Sequence, residues 1–291
     1  MKMNPTAAFL TSPQANHNDN PVRLPEILRT AGWHVRVFQH EQISMTNADV
    51  YLDAQQATQF DLIWPLGFGP RPSFSDRLQM WHLIDATRLI NRPDAYTWAH
   101  GKAAWLNFAP PSMVSSKPDQ LVEFMLANGG EWVLKPAAGS FGTKVQQIYS
   151  AAEIYTILQA DPGYWVLQRF IPEIRRGEVR TLICHDEILG SYLRVPTDQL
   201  HANLAQQGRA CAAVINQPTQ TLIENVHQHL IEAGIGYAAI DTVGGYLMEV
   251  NVANPGGLAT LEQVYEKPFS TDMHARLIQA LERRLESRRS G

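Results

Sequence analysis

A mixed α/β (α+β) fold is what the sequence predicts, with a parallel sheet in its N-terminal part and antiparallel hairpins after it. Two observations carry this. Strand and helix signals alternate over residues 1–109, the pattern of a parallel sheet covered by helices. Beyond Pro110-Pro111 the strands come in pairs joined by short polar or glycine turns, and helices flank the pairs. Three units are expected: 1–109, 110–176 and 177–291.

The elements follow in order. Residues 7–12 read as a strand running into a polar loop through Asp19, and residues 22–31 as a helix stopped by Gly32. Residues 34–38 and 61–65 are further strands. A helix is expected over 74–89, with Leu78, Trp81, Ile84 and Arg88 along one side. The second unit opens with a helix from Pro118 to Asn128, proline in its first turn and Gly129-Gly130 as its stop. Strands at 132–135 and 144–149 enclose a loop of small residues, and Ser150-Ala-Ala-Glu153 is a capping box opening another helix. Residues 164–170 form a strand, and 178–184 with 187–194 a hairpin. The third unit holds a helix over 218–233, with Leu222, Val226, Leu230 and Ala233 as its apolar stripe. A hairpin over 241–251 and a last helix over 269–288 complete it.

The bulk properties exclude several classes. Net charge is −4 and no basic run precedes the C-terminal end, so nothing points to nucleic acid. The Arg283-Arg284 and Arg288-Arg289 pairs are expected to offset the dipole of the last helix and stay solvated. Two isolated cysteines, Cys184 and Cys211, make neither a disulfide framework nor a thiolate metal site, and each is expected to be a small buried residue. No signal core and no window near the ~20 apolar residues of a membrane span is present, so a cytoplasmic protein without membrane contact is expected. His82, His227 and His229 fall on predicted helices as structural residues, and His17 lies in the polar loop after the first strand.

Chemistry concentrates in Asp241-Thr-Val-Gly244-Gly245-Tyr-Leu-Met-Glu249-Val-Asn251. Glu249 and Asn251 share a strand face. Joined by a two-residue loop alone, Asp241 would pair with Met248; a longer loop or a bulge near Gly245 places it opposite Glu249, and that second geometry is expected. Two carboxylates and an amide on a face that usually packs inward need a positive partner. Oxygen donors without His or Cys suit Mg²⁺ together with phosphates; a solvated hairpin with surface acids is the plainer alternative. Trp132-Val-Leu-Lys135 followed by Gly139, Ser140 and Gly142 could cradle phosphate through backbone N–H groups, or be an ordinary hairpin loop, because it lacks the P-loop spacing.

The order of lysine, glycine loop, strand Leu167-Gln-Arg-Phe-Ile171, Glu178-x-Arg180 and Asp241…Glu249-x-Asn251 resembles the ATP-grasp superfamily. Val133-Leu-Lys-Pro, Asn203-Leu-Ala-Gln-Gln-Gly208 and Ile240-Asp through Met248-Glu-Val-Asn251 resemble the bacterial glutathione synthetases more closely. The resemblance implies an ATP-grasp fold with an N-terminal parallel-sheet domain, a central lid subdomain and a C-terminal subdomain with the metal site. It implies ATP and two Mg²⁺ ions, a role Mn²⁺ can also fill, and it leaves room for a homo-oligomer. By position, Lys102 and Lys135 correspond to phosphate-binding lysines, and Gly139, Ser140 and Gly142 to the mobile loop. Gln168, Arg169 and Ile171 correspond to the adenine hinge, and Glu178 to the ribose contact. Arg180 and Asn203 take catalytic positions, and Asp241, Glu249 and Asn251 those of the metal ligands. His201, Asn254, Gly256 and Gly257 fall on the substrate side. The implied reaction activates a small carboxylate as an acyl phosphate and passes it to an amine, as in joining γ-glutamylcysteine to glycine.

Three departures fall on the substrate side. His201 stands where an arginine is usual, Trp64-Pro-Leu-Gly-Phe-Gly-Pro-Arg71 replaces an Arg-Lys-Asp run, and Val252-Ala-Asn-Pro-Gly-Gly257 replaces a Ser/Thr-rich run. A ligase for a different carboxylate and amine is therefore an open alternative. A small-molecule kinase, or a non-catalytic nucleotide- or partner-binding protein, would use the same scaffold; loss of Arg180 or of a metal ligand would point to the last, and neither is lost.

Overall fold

The computed structural model describes residues 4–12, 19–47, 49–138, 144–196 and 208–290. The N-terminal unit contains β1 (Thr6–Thr11), α1 (Asn20–Thr30), β2 (His34–Gln39), β3 (Ile43–Thr46), β4 (Asp49–Leu52), β5 (Gln55–Gln56), β6 (Leu62–Pro65), α2 (Phe74–His82) and α3 (Ala95–Trp98). Its main sheet is parallel, in the order β2-β1-β6, and β1 aligns Ala7 with Val35 and with Leu62. Ala7 and Phe9 pack with α1 residues Leu24, Ile27 and Leu28, while Ala8 and Leu10 pack with Trp81 and Tyr96. Burial on both faces explains why β1 is apolar at every position from Ala7 to Leu10 rather than alternating. Strands β3, β4 and β5 form a small antiparallel sheet that the apolar pattern did not announce.

The expected helix over 74–89 is shorter. It stops at His82, and Asp85 Oδ1 accepts the Thr87 amide to start a separate 3₁₀ turn over Ala86–Arg88. A side chain that caps its own neighbourhood competes with helix continuation.

The next unit contains β7 (Ser112–Ser115), α4 (Pro118–Asn128), β8 (Trp132–Pro136), β9 (Gln146–Ile148), α5 (Ala151–Ala160) and β10 (Trp165–Arg169). Its antiparallel sheet runs β7-β10-β8-β9. Trp132, Leu134, Trp165 and Leu167 face Leu121 of α4 and Ile154 and Leu158 of α5. The alternate positions, Lys135 and Gln168 among them, fall on the opposite face by the period of two. Ser150 opens α5 as expected, but Glu153 binds the Ser150 hydroxyl and the Tyr149 amide rather than closing a full capping box.

The last unit contains β11 (Glu178–Cys184), β12 (Glu187–Val195), β13 (Arg209–Ala212), α6 (Gln217–Glu232), β14 (Tyr237–Val243), β15 (Tyr246–Asn251), α7 (Leu258–Val264) and α8 (Lys267–Ser290). Its antiparallel sheet runs β13-β12-β11-β14-β15. One face buries Ile183, Ala238 and Ile240 under α6, and the other buries Leu182, Cys184, Tyr237 and Ala239 with Leu261 of α7 and Leu277 and Leu281 of α8.

The arginines of α8 are not simply solvated. Arg284 donates to the Ala86, Thr87 and Leu89 carbonyls and Arg288 to that of Asp61, while Arg283 pairs with Asp186 and Glu187. Arg284 and Arg288 fasten the last helix to the N-terminal unit, because carbonyls beside the packed helix need donors, while Arg283 ties it to the β11–β12 turn of its own unit. Cys184 is buried, whereas Cys211 on the edge strand β13 is only half-buried. His227 and His229 bond backbone carbonyls as structural residues. His17 lies outside the described residues.

Candidate nucleotide and metal site

The β14–β15 turn has both glycines at positive φ, +57° at Gly244 and +84° at Gly245, and Val243 pairs with Tyr246 across it. The register then shifts, so that Thr242 pairs with Leu247 but Asp241 with Glu249. The bulge at Met248 brings the two carboxylates onto one face, as the hairpin chemistry required.

The same register extends the row. Arg180 lies opposite Asp241 on one side and opposite Tyr192 on the other, and Glu178 lies opposite Arg194. Directly paired residues share a sheet face, so Tyr192, Arg180, Asp241 and Glu249 form a single line across four strands. This face is apolar at Leu182 and Ala239 and becomes ionic at Arg180 and Asp241.

Arg180 grips Asp241 with a two-pronged fork, Nε to Oδ1 at 2.8 Å and Nη2 to Oδ2 at 2.7 Å. Arg194 reaches Asp241 Oδ2 at 3.0 Å and also pairs with Glu178. The Asn251 amide donates to Asp241 Oδ2 at 3.2 Å. Asp241 is only 1% exposed. Burial pushes its pKa up, but Arg180 and Arg194 outweigh burial and hold the carboxyl below its usual range. For Glu178 burial wins over Arg194 and Arg180, and its pKa is raised. Arg194 completes this cluster and was absent from the sequence reading. Its only signal was the hairpin register that sets it opposite Glu178.

Lys102 and Lys135 arrive from other units. Gly101 bridges to Val250 of β15, and Lys102 Nζ lies 3.1 Å from Glu249 Oε1. Lys135, 6% exposed, donates to Gln168 Oε1 at 2.7 Å, and Gln168 donates to the Ser112 hydroxyl at 2.9 Å. Burial first, then Lys102, lowers the Lys135 pKa to about 8, against the pull of Glu249 and Glu178. Phe170, Ile174 and Val243, with Ile171, Val133 and Met248 against them, form an apolar seam between the second and third units. Four cations thus meet three carboxylates beside a packed apolar seam, a combination suited to a polyphosphate.

Other positions differ. The Arg169 side chain turns the opposite way from Gln168; its guanidinium lies 4.7 Å from the Trp132 ring centre and donates to the Asn128 carbonyl. Asn254 accepts from Asn20 at 2.9 Å, and the Gly256 carbonyl accepts from Arg180 at 3.3 Å. Gly257 has φ +143°, and a Cβ there would lie 3.0 Å from the Tyr192 hydroxyl, so this chain passage needs glycine. Gly139, Ser140, Gly142, His201 and Asn203 lie outside the described residues.

The donor set fits magnesium. An ionised carboxylate has about four acceptor positions. Asp241 takes three donors on Oδ2 and one on Oδ1, so any metal would meet it at Oδ1, and Glu249 takes Lys102 on Oε1. With its amide nitrogen turned to Asp241, Asn251 keeps its oxygen for a third ligand. Among the described residues no group of three or more His, Cys, Asp or Glu could hold a metal. The fit therefore rests on two carboxylates plus an amide oxygen, with phosphates completing the shell.

Comparison with known proteins agrees. Residues 102–266 match the model of the prokaryotic glutathione synthetase ATP-grasp domain. A glutathione synthetase from Rhodopseudomonas palustris is 27% identical over 248 residues, spanning 80% of this chain and 74% of the relative. Among solved structures, the D-cycloserine synthetase DcsG superposes with a TM-score of 0.68 at 18% identity, covering 96% of this chain and 99% of the other. The D-alanyl-alanine synthetase A of Vibrio cholerae gives 0.68 at 13% identity, with 98% and 99% covered. At such identities the structural likeness establishes the fold, and the fold is ATP-grasp.

Proposed function

We propose the reaction of this chain from one premise: it belongs to the prokaryotic glutathione synthetase ATP-grasp family. Members of the family use ATP and Mg²⁺, and the chain is an ATP-dependent carboxylate–amine ligase of the glutathione synthetase type. The proposed substrates are γ-glutamylcysteine and glycine, and the proposed site is the row of Arg180, Asp241 and Glu249. The observation that carries the site is the two-pronged Arg180–Asp241 pair, set beside Glu249, Asn251 and Lys102.

The substrate carboxylate oxygen attacks the γ-phosphorus of ATP, the bond to ADP breaks, and an acyl phosphate forms. The amine nitrogen then attacks the acyl carbon, inorganic phosphate leaves, and the amine gives up a proton to form the amide. Asp241, Glu249 and Asn251 would hold magnesium, two ions in this reading with Mn²⁺ as a substitute. Bound there, the metal offsets negative charge on the phosphate oxygens. Arg180 has further N–H groups beyond its Asp241 fork and stabilises charge on the transferred phosphoryl oxygens. Lys102 and Lys135 bind the phosphates as cations, and Gln168 keeps Lys135 aimed. The seam at Phe170 and Ile171 receives the base, and Glu178 orients the ribose. By the family resemblance, Gly139, Ser140 and Gly142 are assigned to the phosphates, and His201 and Asn203 to the side where water must be kept from the acyl phosphate. Asn254, Gly256 and Gly257 border the carboxylate. On this reading residues 1–109 supply the substrate side, 110–176 the lid and 177–291 the metal site, in a cytoplasmic enzyme. No described helix is long and apolar enough to cross a membrane.

A second reading keeps the chemistry and changes the substrates. It is favoured by the loop 66–70, which carries no ionisable side chain beside the site. ADP release from Mg-ATP decides between them, measured with γ-glutamylcysteine in the presence and absence of glycine. Glycine-dependent turnover supports the first reading. Nucleotide binding without turnover moves the substrates to another carboxylate and amine.

A further inference from the structure

Arg77 on α2 is 2% exposed, yet no carboxylate among the described residues lies within ion-pairing distance of it. Its guanidinium serves neutral oxygens instead. Nη2 donates to the carbonyls of Phe68 at 2.6 Å and Pro70 at 2.7 Å, and Nη1 donates to the Ser73 hydroxyl at 2.6 Å. Burial lowers its pKa even though Glu41 and Asp76 pull the other way from beyond contact, and a buried guanidinium without a contacting carboxylate is costly. Holding one short loop is what this one achieves.

The loop is held from every side. His40, fully buried, bonds the Leu66 carbonyl through Nε2 at 3.2 Å. The Tyr96 hydroxyl donates to the Pro65 carbonyl at 2.7 Å. Gly69 has φ +64°, and a Cβ there would lie 2.8 Å from both the Arg77 guanidinium and the His40 ring. No side chain larger than hydrogen fits between the clamp and the loop.

The loop also touches the site. Gly67 donates its amide to the Ala253 carbonyl at 2.9 Å, two residues beyond Asn251. The half-buried Phe68 ring packs edge-on against His100 at 4.9 Å between centres, and the Val252 amide donates to His100 Nδ1 at 3.4 Å. Residues Leu66-Gly-Phe-Gly-Pro70 follow the carboxyl end of β6, where ligands of open parallel sheets bind. The surface they present beside the phosphoryl-transfer row is rigid, aromatic and uncharged.

We propose that Arg77 is a positioning residue for the carboxylate substrate: it holds Phe68 as an uncharged wall that the substrate meets next to its reacting carboxylate. The substrate class follows, a carboxylic acid whose portion on this wall is uncharged, with any second charge carried elsewhere. This rests on the ligase reading above and uses γ-glutamylcysteine as the probe.

The test compares wild type with Arg77→Met, Arg77→Lys and Phe68→Ala in the full chain. Three quantities are read: KM for γ-glutamylcysteine at saturating Mg-ATP and glycine, Kd for Mg-ADP, and hydrogen exchange of the segment 66–71. Arg77→Met and Phe68→Ala are expected to raise KM about tenfold, with Kd for Mg-ADP within twofold of wild type. Exchange of the loop amides accelerates in Arg77→Met, and Arg77→Lys falls between because it keeps a donor but loses the fork. An unchanged KM in Phe68→Ala overturns the wall, and unchanged exchange in Arg77→Met overturns the clamp. A loss of Mg-ADP affinity equal to the rise in KM also overturns the proposal, as general damage. Phe68→Ala decides the substrate arm if Arg77→Met does not fold. A wild type inert with γ-glutamylcysteine refutes that substrate, while the exchange measurement still judges the clamp.

Discussion

Asp241→Asn and Glu178→Gln each delete one carboxylate charge from the same buried cluster, and the structure predicts unequal costs. Asp241 receives the Arg180 fork at 2.7 and 2.8 Å and Arg194 at 3.0 Å, and its two arginines hold its pKa down despite burial. Its ionised form is therefore stabilised by the fold. Glu178 pairs with Arg194, but burial outweighs its partners and raises its pKa, so its ionised form is disfavoured. Breaking a buried pair by removing one partner costs about 3–5 kcal/mol. Asp241→Asn, which strands a 15%-exposed Arg180 and leaves Arg194 only Glu178, belongs there. For a 291-residue chain that is a fall in Tm of roughly 5–8 °C. Glu178→Gln keeps an acceptor for Arg194 and leaves Asp241 between the arginines, so less than half that fall is expected. The assay is thermal and urea denaturation at pH 7 without nucleotide. The Asp241 contribution is present above the unfolded carboxyl value of about 3.9 and is lost as pH falls through the lower folded value. The gap between wild type and Asp241→Asn should therefore close in acid. A Glu178→Gln protein as unstable as Asp241→Asn would refute this electrostatic reasoning.

Three further predictions follow from buried polar groups. His40 is fully buried, and burial lowers its pKa from 6.5 to about 4, so the unfolded chain takes the proton first. Its contribution, about 3 kcal/mol, is complete above pH 6.5 and disappears as pH falls to 4; urea midpoints should show that slope in wild type and a reduced one in His40→Gln. Lys135, with its pKa lowered to about 8, should lose its charge in mild alkali. Mg-ADP affinity read by calorimetry is expected to fall about tenfold per unit above that pH, and Lys135→Arg should flatten the profile because arginine stays charged. Asn91, 1% exposed, donates to the Tyr237 and Val252 carbonyls and accepts from the Gly236 and Tyr237 amides. Asn91→Ala leaves these groups unsatisfied and should cost about 3 kcal/mol or more in urea unfolding, with an equal-stability result sinking the idea.

The β14–β15 hairpin was legible because its chemistry constrains its geometry. Three oxygen donors and a Gly-Gly turn make sense together only if a bulge sets Asp241 opposite Glu249, and the bulge is there. The parallel N-terminal sheet was legible from alternation alone. Arg194 was not, since an arginine ending a hairpin strand is ordinary until the register places it against Glu178 and Asp241. The break in the helix over 74–89 was hidden for a similar reason: its apolar spacing runs on past His82, and one local bond from Asp85 to the Thr87 amide overrides it. Arg284 shows the limit of reading charge as surface. Its partners are carbonyls of residues 86–89, almost two hundred positions away in the chain.

The position of the site follows from how far the helices reach across one sheet face. On β11 and β14 the inward series Cys184, Leu182, Arg180, Glu178 runs antiparallel to Tyr237, Ala239, Asp241. Where α7 and α8 cover the face, these residues are apolar and fully buried. The cover begins at Gly257, whose positive φ lets the chain cross within reach of the Tyr192 hydroxyl before α7 starts. One step further along the strands the face turns from apolar to charged, and it satisfies that charge with closely paired ions, Arg180 on Asp241 and Arg194 on Glu178. The same strand period that builds the core therefore delivers Arg180 and Asp241 to one face in fixed register. Their spacing does not depend on loop conformation. The proposed carboxylate wall, by contrast, sits on the loop 66–70, which Arg77 holds by the Phe68 and Pro70 carbonyls.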